Sequence, residues 1–200
     1  MTLRVGVFDY GAGNLHSLVK AIEVSGASTQ VFTDCRDALA ADALVLPGVG
    51  SFATAARALS GGRDEVREAL EEGLPCLGIC LGMQILFEES DEGGGPGIGF
   101  LRGRVERLQG EIVPHMGWND VATGGDPLFA DTPDLIAYYA NSYVCRPRDE
   151  GSVTAWSEYE GDRFAAAVRR GRCWGTQFHP EKSSRPGLRI IANFLKEAAR

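Results

Sequence analysis

Short apolar runs alternate with helically spaced segments through the first half of the chain. Strands are predicted at residues 3–8, 29–32, 43–46 and 74–79, and helices at 14–25, 51–59, 64–72 and 81–89. Strands that alternate with helices form parallel sheets covered on both faces, so this order predicts a mostly parallel sheet. Functional groups in such sheets collect at the carboxyl ends of the strands.

The pattern changes after the glycine-rich segment 91–99, which predicts a loop. Short alternating runs follow at 105–108, 120–122, 136–144, 152–156, 164–168 and 173–178, and a last helix is predicted at 188–198. These runs are typical of hairpins or of an extension that makes the sheet mixed. We therefore predict one α/β domain over residues 1–200, with a central mixed, mostly parallel sheet, flanking helices and an antiparallel extension.

Composition excludes several classes of protein. Apolar residues make up 44% and charged residues 24% of the 200 residues, which is typical of a soluble globular protein. A net charge of −7 without a basic cluster argues against nucleic acid and anionic membranes as partners. No apolar stretch approaches the ~20 residues of a membrane span, and the start lacks the pattern of a signal peptide. We expect a cytoplasmic protein.

The five cysteines form no CxxC pair, so neither a disulfide framework nor a metal site is predicted. Cys80 stands apart because G-I-C-L-G, residues 78–82, joins a predicted strand to a predicted helix. Glycines two residues before and after relieve crowding around a nucleophile on such a turn. The helix N-terminus favours a thiolate, and the Leu81 N–H would face an oxyanion. An inert buried cysteine is the alternative that this stretch leaves open.

A nucleophilic cysteine needs an acid–base partner, and the chain has three histidines. His179 lies in Q-F-H-P-E, where Glu181 shares its face if the segment is extended and could orient the imidazole. His16 lies at the start of the first helix, and His115 lies in PHMGWN, which we predict to be a loop. A lone histidine favours a structural role, but His-Pro-Glu together with G-x-C-x-G favours catalysis.

A second turn, L-P-G-V-G-S-F at 46–52, follows the predicted strand 43–46. Its backbone N–H groups could donate to the same oxyanion, and a plain connecting loop is the alternative. The signal is weak by itself and gains weight because the turn follows a parallel strand, as the Cys80 turn does. The turn GAGNLH at 11–16 lacks the third glycine of a dinucleotide fingerprint, and no cofactor is expected. Together the turns and His179 suggest acyl transfer through a thioester, without naming the acyl group.

These motifs resemble those of the triad-type, or class I, glutamine amidotransferases. Longer strings resemble the glutaminase subunits of imidazole glycerol phosphate synthase: DYGAGN at 9–14, LPGVGSF at 46–52, GICLGMQ at 78–84, FEES at 87–90, HMGWN at 115–119 and QFHPEKS at 177–183. The resemblance implies that Cys80 is the nucleophile, His179 its acid–base partner and Glu181 the orienting carboxylate. It further implies an oxyanion hole from the backbone of Gly48, Val49 and Leu81.

The resemblance also implies binding surfaces. The implied glutamine contacts are Gly50, Gln84, Glu92, Ser142 and Tyr143, and the implied partner contacts are Asn14, Trp118, Tyr138 and Lys182. Members of this family hydrolyse glutamine to glutamate and pass ammonia to a (β/α)8-barrel cyclase subunit in a 1:1 heterodimer. The cyclase then makes imidazole glycerol phosphate and aminoimidazole carboxamide ribotide in histidine biosynthesis. One departure is Asn141, where the family commonly has a histidine; asparagine can hydrogen-bond but carries no charge.

Two alternatives compete with this interpretation. Another triad amidotransferase, such as a pyridoxal phosphate or purine pathway glutaminase, would share the cysteine and histidine motifs, but we expect it to lack PGVGSF together with HMGWN. A binding or regulatory module with an inactive turn is the second alternative. The presence of Cys80, His179 and Glu181 together argues against it.

Overall fold

The computed structural model of the protein describes residues 2–11, 13 and 15–200. Its strands are β1 (Arg4–Phe8), β2 (Ser28–Phe32), β3 (Ala43–Leu46), β4 (Cys76–Ile79), β5 (Glu89–Ser90), β6 (Gly103–Arg107), β7 (His115–Asp120), β8 (Ala122–Thr123), β9 (Ile136–Asn141), β10 (Tyr143–Pro147), β11 (Val153–Tyr159), β12 (Asp162–Arg170) and β13 (Cys173–Thr176). Its α-helices are α1 (His16–Val24), α2 (Cys35–Ala38), α3 (Phe52–Leu59), α4 (Arg63–Glu71), α5 (Leu81–Gln84) and α6 (Ser184–Ala198).

The largest sheet in the described part of the chain has eight strands in the order β2-β1-β3-β4-β13-β12-β11-β8. The pairs from β2 through β13 are parallel, and the pairs from β13 through β8 are antiparallel. This arrangement confirms the predicted α/β class with its antiparallel extension. Every residue of β3 and β4 is buried, because helices cover both faces of a parallel sheet.

Alternate residues of the parallel strands enter two apolar cores on opposite faces of the sheet. Val45 and Leu77 pack in one core together with residues of α1 and α6, including Ile22 and Phe194. The neighbouring positions of the same strands enter the other core with α3 and α4, whose contributions include Leu59. The alternation follows from the period of two in a β-strand, and it leaves the carboxyl ends of β3, β4 and β13 free to build a site.

Two smaller sheets correct the prediction for the second half. Residues 136–144, predicted as one strand, divide at Ser142 because the chain changes partner there: β9 pairs with β7, whereas β10 pairs with β6. The Ser142 carbonyl accepts the N–H of Leu108 at this change. The prediction of a loop around His115 is also wrong, because His115 begins β7.

The helix predicted at 81–89 ends at Gln84. Ile85, Leu86 and Phe87 are fully buried, and their carbonyls accept N–H groups from residues 98, 99 and 101 instead of continuing a helix. The last helix begins earlier than predicted, at Ser184, because a proline in the first turn needs no intrahelical partner for its nitrogen. No helix in the described part of the chain is both long and apolar enough to cross a membrane.

Candidate active site

Cys80 occupies a strained turn between β4 and α5. Its backbone angles are φ 48° and ψ −105°, in a region that residues with a side chain rarely adopt. Its N–H donates to the Thr176 carbonyl at 2.6 Å, and its carbonyl accepts the Gln84 N–H at 3.0 Å. Hydrogen bonds on both sides therefore hold the strained residue. With four residues, α5 aligns fewer peptide dipoles toward the sulfur than the predicted helix would.

Both glycines of G-I-C-L-G are required by close backbone contacts. A Cβ at Gly78 would lie 2.4 Å from the Gly82 carbonyl oxygen, and a Cβ at Gly82 would lie 1.9 Å from the Leu46 carbonyl oxygen. Those distances exclude any side chain unless the backbone moves. The spacing of the glycines thus reflects how tightly the Cys80 turn packs on itself and on the end of β3.

His179 and Glu181 form a buried pair. Nδ1 of His179 lies 2.8 Å from Oε1 of Glu181, and the two side chains are 3% and 7% exposed. The segment is not extended as we predicted: Pro180–Lys182 forms a 3-10 turn, and the turn brings the carboxylate back to the ring. Because Glu181 engages Nδ1, Nε2 is the nitrogen left for Cys80.

The backbone of His179 is fixed by the β7–β9 ribbon. Its N–H donates to the Tyr138 carbonyl at 2.9 Å. The Ser183 hydroxyl donates to the His179 carbonyl at 2.7 Å and accepts the Tyr138 N–H at 2.9 Å. Ser183 is fully buried, so one hydroxyl joins β9 to the histidine segment inside the protein.

The pKa of His179 results from opposing effects. Burial lowers the pKa, whereas the charge of Cys80, its hydrogen bond to the ring, and the Glu181 carboxylate raise it, with a net result of about 10. The imidazolium form is therefore favoured when Cys80 is a thiolate. In that form His179 holds a proton that an acid could donate to a departing group.

The glycine turn after β3 lies against the side chains of Cys80 and His179. A Cβ at Gly48 would lie 2.8 Å from Cε1 of His179 and 3.0 Å from Cβ of Cys80. Gly50 has φ 103°, and Ser51 then caps α3 by accepting the Thr54 N–H at 3.2 Å. Leu81, on the other side, begins α5, where N–H groups have no intrahelical acceptor.

The predicted glutamine contacts divide between two positions. Glu92 accepts the Phe52 N–H at 2.9 Å, which places its carboxylate at the start of α3, beside the Gly50 turn. Gln84 is buried, and its Nε2 donates to the Tyr143 carbonyl at 2.9 Å. Ser142 precedes Tyr143 at the break between β9 and β10 and is partly exposed.

Gln177 is a site residue that sequence reasoning missed. Gln177 is fully buried, its Nε2 lies 3.5 Å from Sγ of Cys80, and its Oε1 accepts Nε2 of Gln84 at 3.2 Å. Asn141 also donates to the Tyr143 carbonyl, at 3.0 Å. An amide close before the histidine, within the QFHPEKS motif, was the signal that could have indicated Gln177.

Two of the predicted partner contacts, Trp118 and Tyr138, pair across the β7–β9 ribbon, and Lys182 lies beside Tyr138 from the 3-10 turn after His179. Trp118 is 54% exposed and stands edge-on to Tyr138, with ring centroids 5.9 Å apart. Nζ of Lys182 lies 5.9 Å from the Tyr138 ring centroid. Met116 and Ile136, which the sequence did not single out, extend this face of the ribbon as exposed apolar residues. The remaining predicted contact, Asn14, lies outside the described residues.

Residues 6–198 match the family Glutamine amidotransferase class-I. The chain belongs to this family. It is 43% identical to the imidazole glycerol phosphate synthase subunit HisH of Synechococcus sp. (strain JA-3-3Ab), over 99% of the chain and 95% of the relative. It is 45% identical to the HisH subunit of Moorella thermoacetica, over 95% of the chain and 93% of the relative. This class I chain is therefore an amidotransferase subunit of the HisH type.

Solved structures support the class I fold. A glutamine amidotransferase crystal structure superposes with a TM-score of 0.79 at 25% identity, covering 98% of this chain and 99% of the other. PurLQS from Thermotoga maritima gives a TM-score of 0.76 at 23% identity, covering 98% and 99%. At that identity the second likeness concerns the fold alone, whereas the HisH relatives carry the closer relationship.

Proposed function

We propose that this amidotransferase hydrolyses glutamine with Cys80 as nucleophile, His179 as acid–base partner and Glu181 as orienting carboxylate. The observation that carries the proposal is the packing of the Gly48 turn against both Cys80 and His179. That contact supports the proposal because it brings the Cys80 and His179 side chains and a glycine turn to one point, and acyl transfer needs a nucleophile, an acid and backbone N–H donors close together.

The reaction proceeds through a glutamyl thioester. The Cys80 thiolate attacks the side-chain amide carbon of glutamine, and the backbone of Gly48, Val49 and Leu81 stabilises the oxyanion. His179 protonates the departing nitrogen, and ammonia leaves. The imidazole then takes a proton from water, and the hydroxide cleaves the thioester to release glutamate and the free thiol.

Glutamine is held between the start of α3 and the break between β9 and β10. The Glu92 carboxylate is suited to the ammonium group of the amino acid, because the two groups have opposite charges. Its position beside the Gly50 turn places it at this end of the proposed site. Gln84, Ser142 and Tyr143 bound the other side, where Gln84 is already tied to the Tyr143 carbonyl.

The partner is a (β/α)8-barrel cyclase subunit that binds as a 1:1 heterodimer and receives ammonia without its release to bulk water. The names of the relatives support this assignment, because they describe subunits of imidazole glycerol phosphate synthase. The exposed face with Trp118, Tyr138 and Lys182 is suited to such a contact. A cytoplasmic location agrees with five free cysteines, because thiols stay reduced there.

The test is a glutaminase assay of the complex with the barrel subunit, with and without its nucleotide ligand. We expect partner-stimulated hydrolysis, and a loss of about a thousandfold or more in Cys80→Ala. Cys35→Ala is the matched control, because Cys35 is a buried thiol in α2. Unchanged hydrolysis in Cys80→Ala contradicts the mechanism. Stimulation by another synthase instead of the barrel contradicts only the partner assignment.

A further inference from the structure

The direction of two buried side-chain amides near Cys80 is set by a backbone carbonyl. The Tyr143 carbonyl can only accept, so the group facing it at 2.9 Å must be the NH₂ end of Gln84. Asn141 supplies a second donor to the same oxygen at 3.0 Å. Amide orientation is normally assigned from the surrounding network, and here the network begins at an atom whose role is fixed.

The orientation of the Gln84 amide in turn fixes the orientation of the Gln177 amide. The same NH₂ of Gln84 also faces Oε1 of Gln177 at 3.2 Å, which leaves the NH₂ end of Gln177 directed at Sγ of Cys80 at 3.5 Å. If Gln177 were reversed, two NH₂ groups would face each other inside the protein. Tyr143 therefore determines, through Gln84, that the sulfur meets a donor.

Burial makes this donor effective. Gln177 is fully buried, Gln84 is 5% exposed, and the Gln177 N–H is anchored to the Ala166 carbonyl at 2.8 Å. A hydrogen bond to an ion is stronger than one between neutral groups, and a dry environment strengthens it further. The helix after Cys80 has four residues, so its dipole contributes less to holding a thiolate than the sequence suggested.

We propose that Gln177 is a further catalytic residue, whose amide N–H stabilises the Cys80 thiolate, and that Gln84 is a positioning residue that fixes the direction of that amide. The inference rests on the proposed role of Cys80 as nucleophile. It gives Gln84 a role toward the sulfur in addition to its proposed contact with glutamine. No bond is made or broken by either amide.

The test measures the rate of Cys80 alkylation by iodoacetamide over a pH series, on the isolated chain without glutamine or partner. The titratable groups that face Cys80 are His179, with Glu181 behind it, and the Cys145 thiol of β10. Burial raises the pKa of Cys145, so that thiol is expected to stay unreactive. Mass spectrometry and a Cys80→Ala control assign the modified sulfur.

Gln177→Met keeps the side-chain length and removes the donor. We expect alkylation near neutral pH to slow about tenfold, because a hydrogen bond to a charged group is lost. The profile should move toward higher pH and reach the wild-type rate at its alkaline plateau. A change in access to the sulfur would alter the plateau instead. Thr132→Val is the matched control, because it removes a buried hydrogen bond to the Phe129 carbonyl elsewhere in the protein.

Gln84→Glu tests the positioning role. An ionised carboxylate accepts at both oxygens, so Gln177 should turn its NH₂ toward the introduced carboxylate and present its oxygen to the sulfur. Alkylation should slow in this variant, and the slowing should shrink when Gln177→Met is combined with it. An equal effect in both backgrounds would attribute the slowing to the negative charge of the introduced carboxylate and overturn that part of the proposal.

A Gln177→Met profile that superposes on the wild-type profile overturns the role of Gln177. If circular dichroism shows that Gln177→Met is unfolded, Gln177→Asn replaces it, because the shorter amide is expected to fall short of the sulfur and slow alkylation in the same way. The readout does not depend on glutamine hydrolysis. A failure of the proposed glutaminase activity would therefore be seen separately, in the assay with the barrel subunit.

Discussion

At the scale of single residues, the site joins a cysteine with a strained backbone to a histidine whose pKa is raised to about 10. Burial lowers the pKa of His179, and the interactions of its ring with Cys80 and Glu181 outweigh that burial. Cys80 is held in its unfavourable conformation by backbone hydrogen bonds with Thr176 and Gln84. The site therefore uses backbone strain for placement and electrostatics for the protonation state.

Glu181→Gln should narrow the pH range of activity from the alkaline side. The carboxylate helps to raise the pKa of His179 to about 10, and removing its charge lowers that pKa, by about one unit or more for a contact this close. A lower pKa means that the acid form is lost at a lower pH. The measurement is the pH–rate profile of partner-stimulated hydrolysis, together with an NMR titration of the His179 ring.

Glu158→Gln serves as the control, because this carboxylate lies on β11 away from the pair. Its profile should superpose on the wild-type profile. An unchanged alkaline limb in Glu181→Gln would mean that Glu181 does not govern the protonation of His179.

At the scale of elements, the segment that carries His179 is attached to β9 and not to the central sheet alone. Ser183 is the connection, since its hydroxyl serves the His179 carbonyl and the Tyr138 N–H together. Gly187 brings α6 against the same segment, where a Cβ would lie 1.9 Å from the Pro180 carbonyl oxygen. The ribbon, the histidine turn and α6 thus form one packed unit.

Ser183→Ala should destabilise this unit by about 1–3 kcal/mol, because it removes the acceptor of the Tyr138 N–H, whereas the His179 carbonyl keeps the N–H of Lys182. Chemical denaturation measures the free energy of unfolding. Ser17→Ala, on the exposed face of α1, should change it by no more than about 0.5 kcal/mol. Equal stability of the two variants would show that the Ser183 hydroxyl does not hold the ribbon to the histidine segment.

At the scale of the whole molecule, the sequence predicts the parallel half well and the rest less well. Buried runs such as Ala43–Leu46 carry a clear signal, because a strand covered on both faces is continuously apolar. The spacing of Gly78 and Gly82 around Cys80 likewise predicts the turn. Both positions need a residue without a Cβ, and glycine shows that need directly in the sequence.

The missed features depend on contacts that are distant in sequence. The apolar spacing of residues 85–87 fits a helix, but their carbonyls are bonded to the loop near residue 98. Gln177 reaches Gln84 across 93 positions, so no local pattern reveals its role. Residues 115–120 likewise form the strand β7 by pairing with β9, which comes later in the chain.

Trp118→Ala should weaken binding of the barrel subunit by about 2 kcal/mol or more, or at least roughly thirtyfold in Kd, because exposed aromatic anchors dominate such interfaces. Isothermal titration calorimetry measures the affinity. Val31→Ala, an exposed apolar residue of the edge strand β2, is the control and should leave the affinity unchanged. A wild-type affinity for Trp118→Ala would place the interface on another face.

The two glycines beside Cys80 also constrain how this chain can vary by inheritance. Every glycine codon that changes by one base to a different amino acid acquires a Cβ, and neither position has room for one. Single substitutions at Gly78 or Gly82 therefore force the backbone to move, whatever residue they introduce. At Gly82 the backbone that must give way is the end of β3, so a lineage that replaces this glycine has to accommodate it in two segments at once.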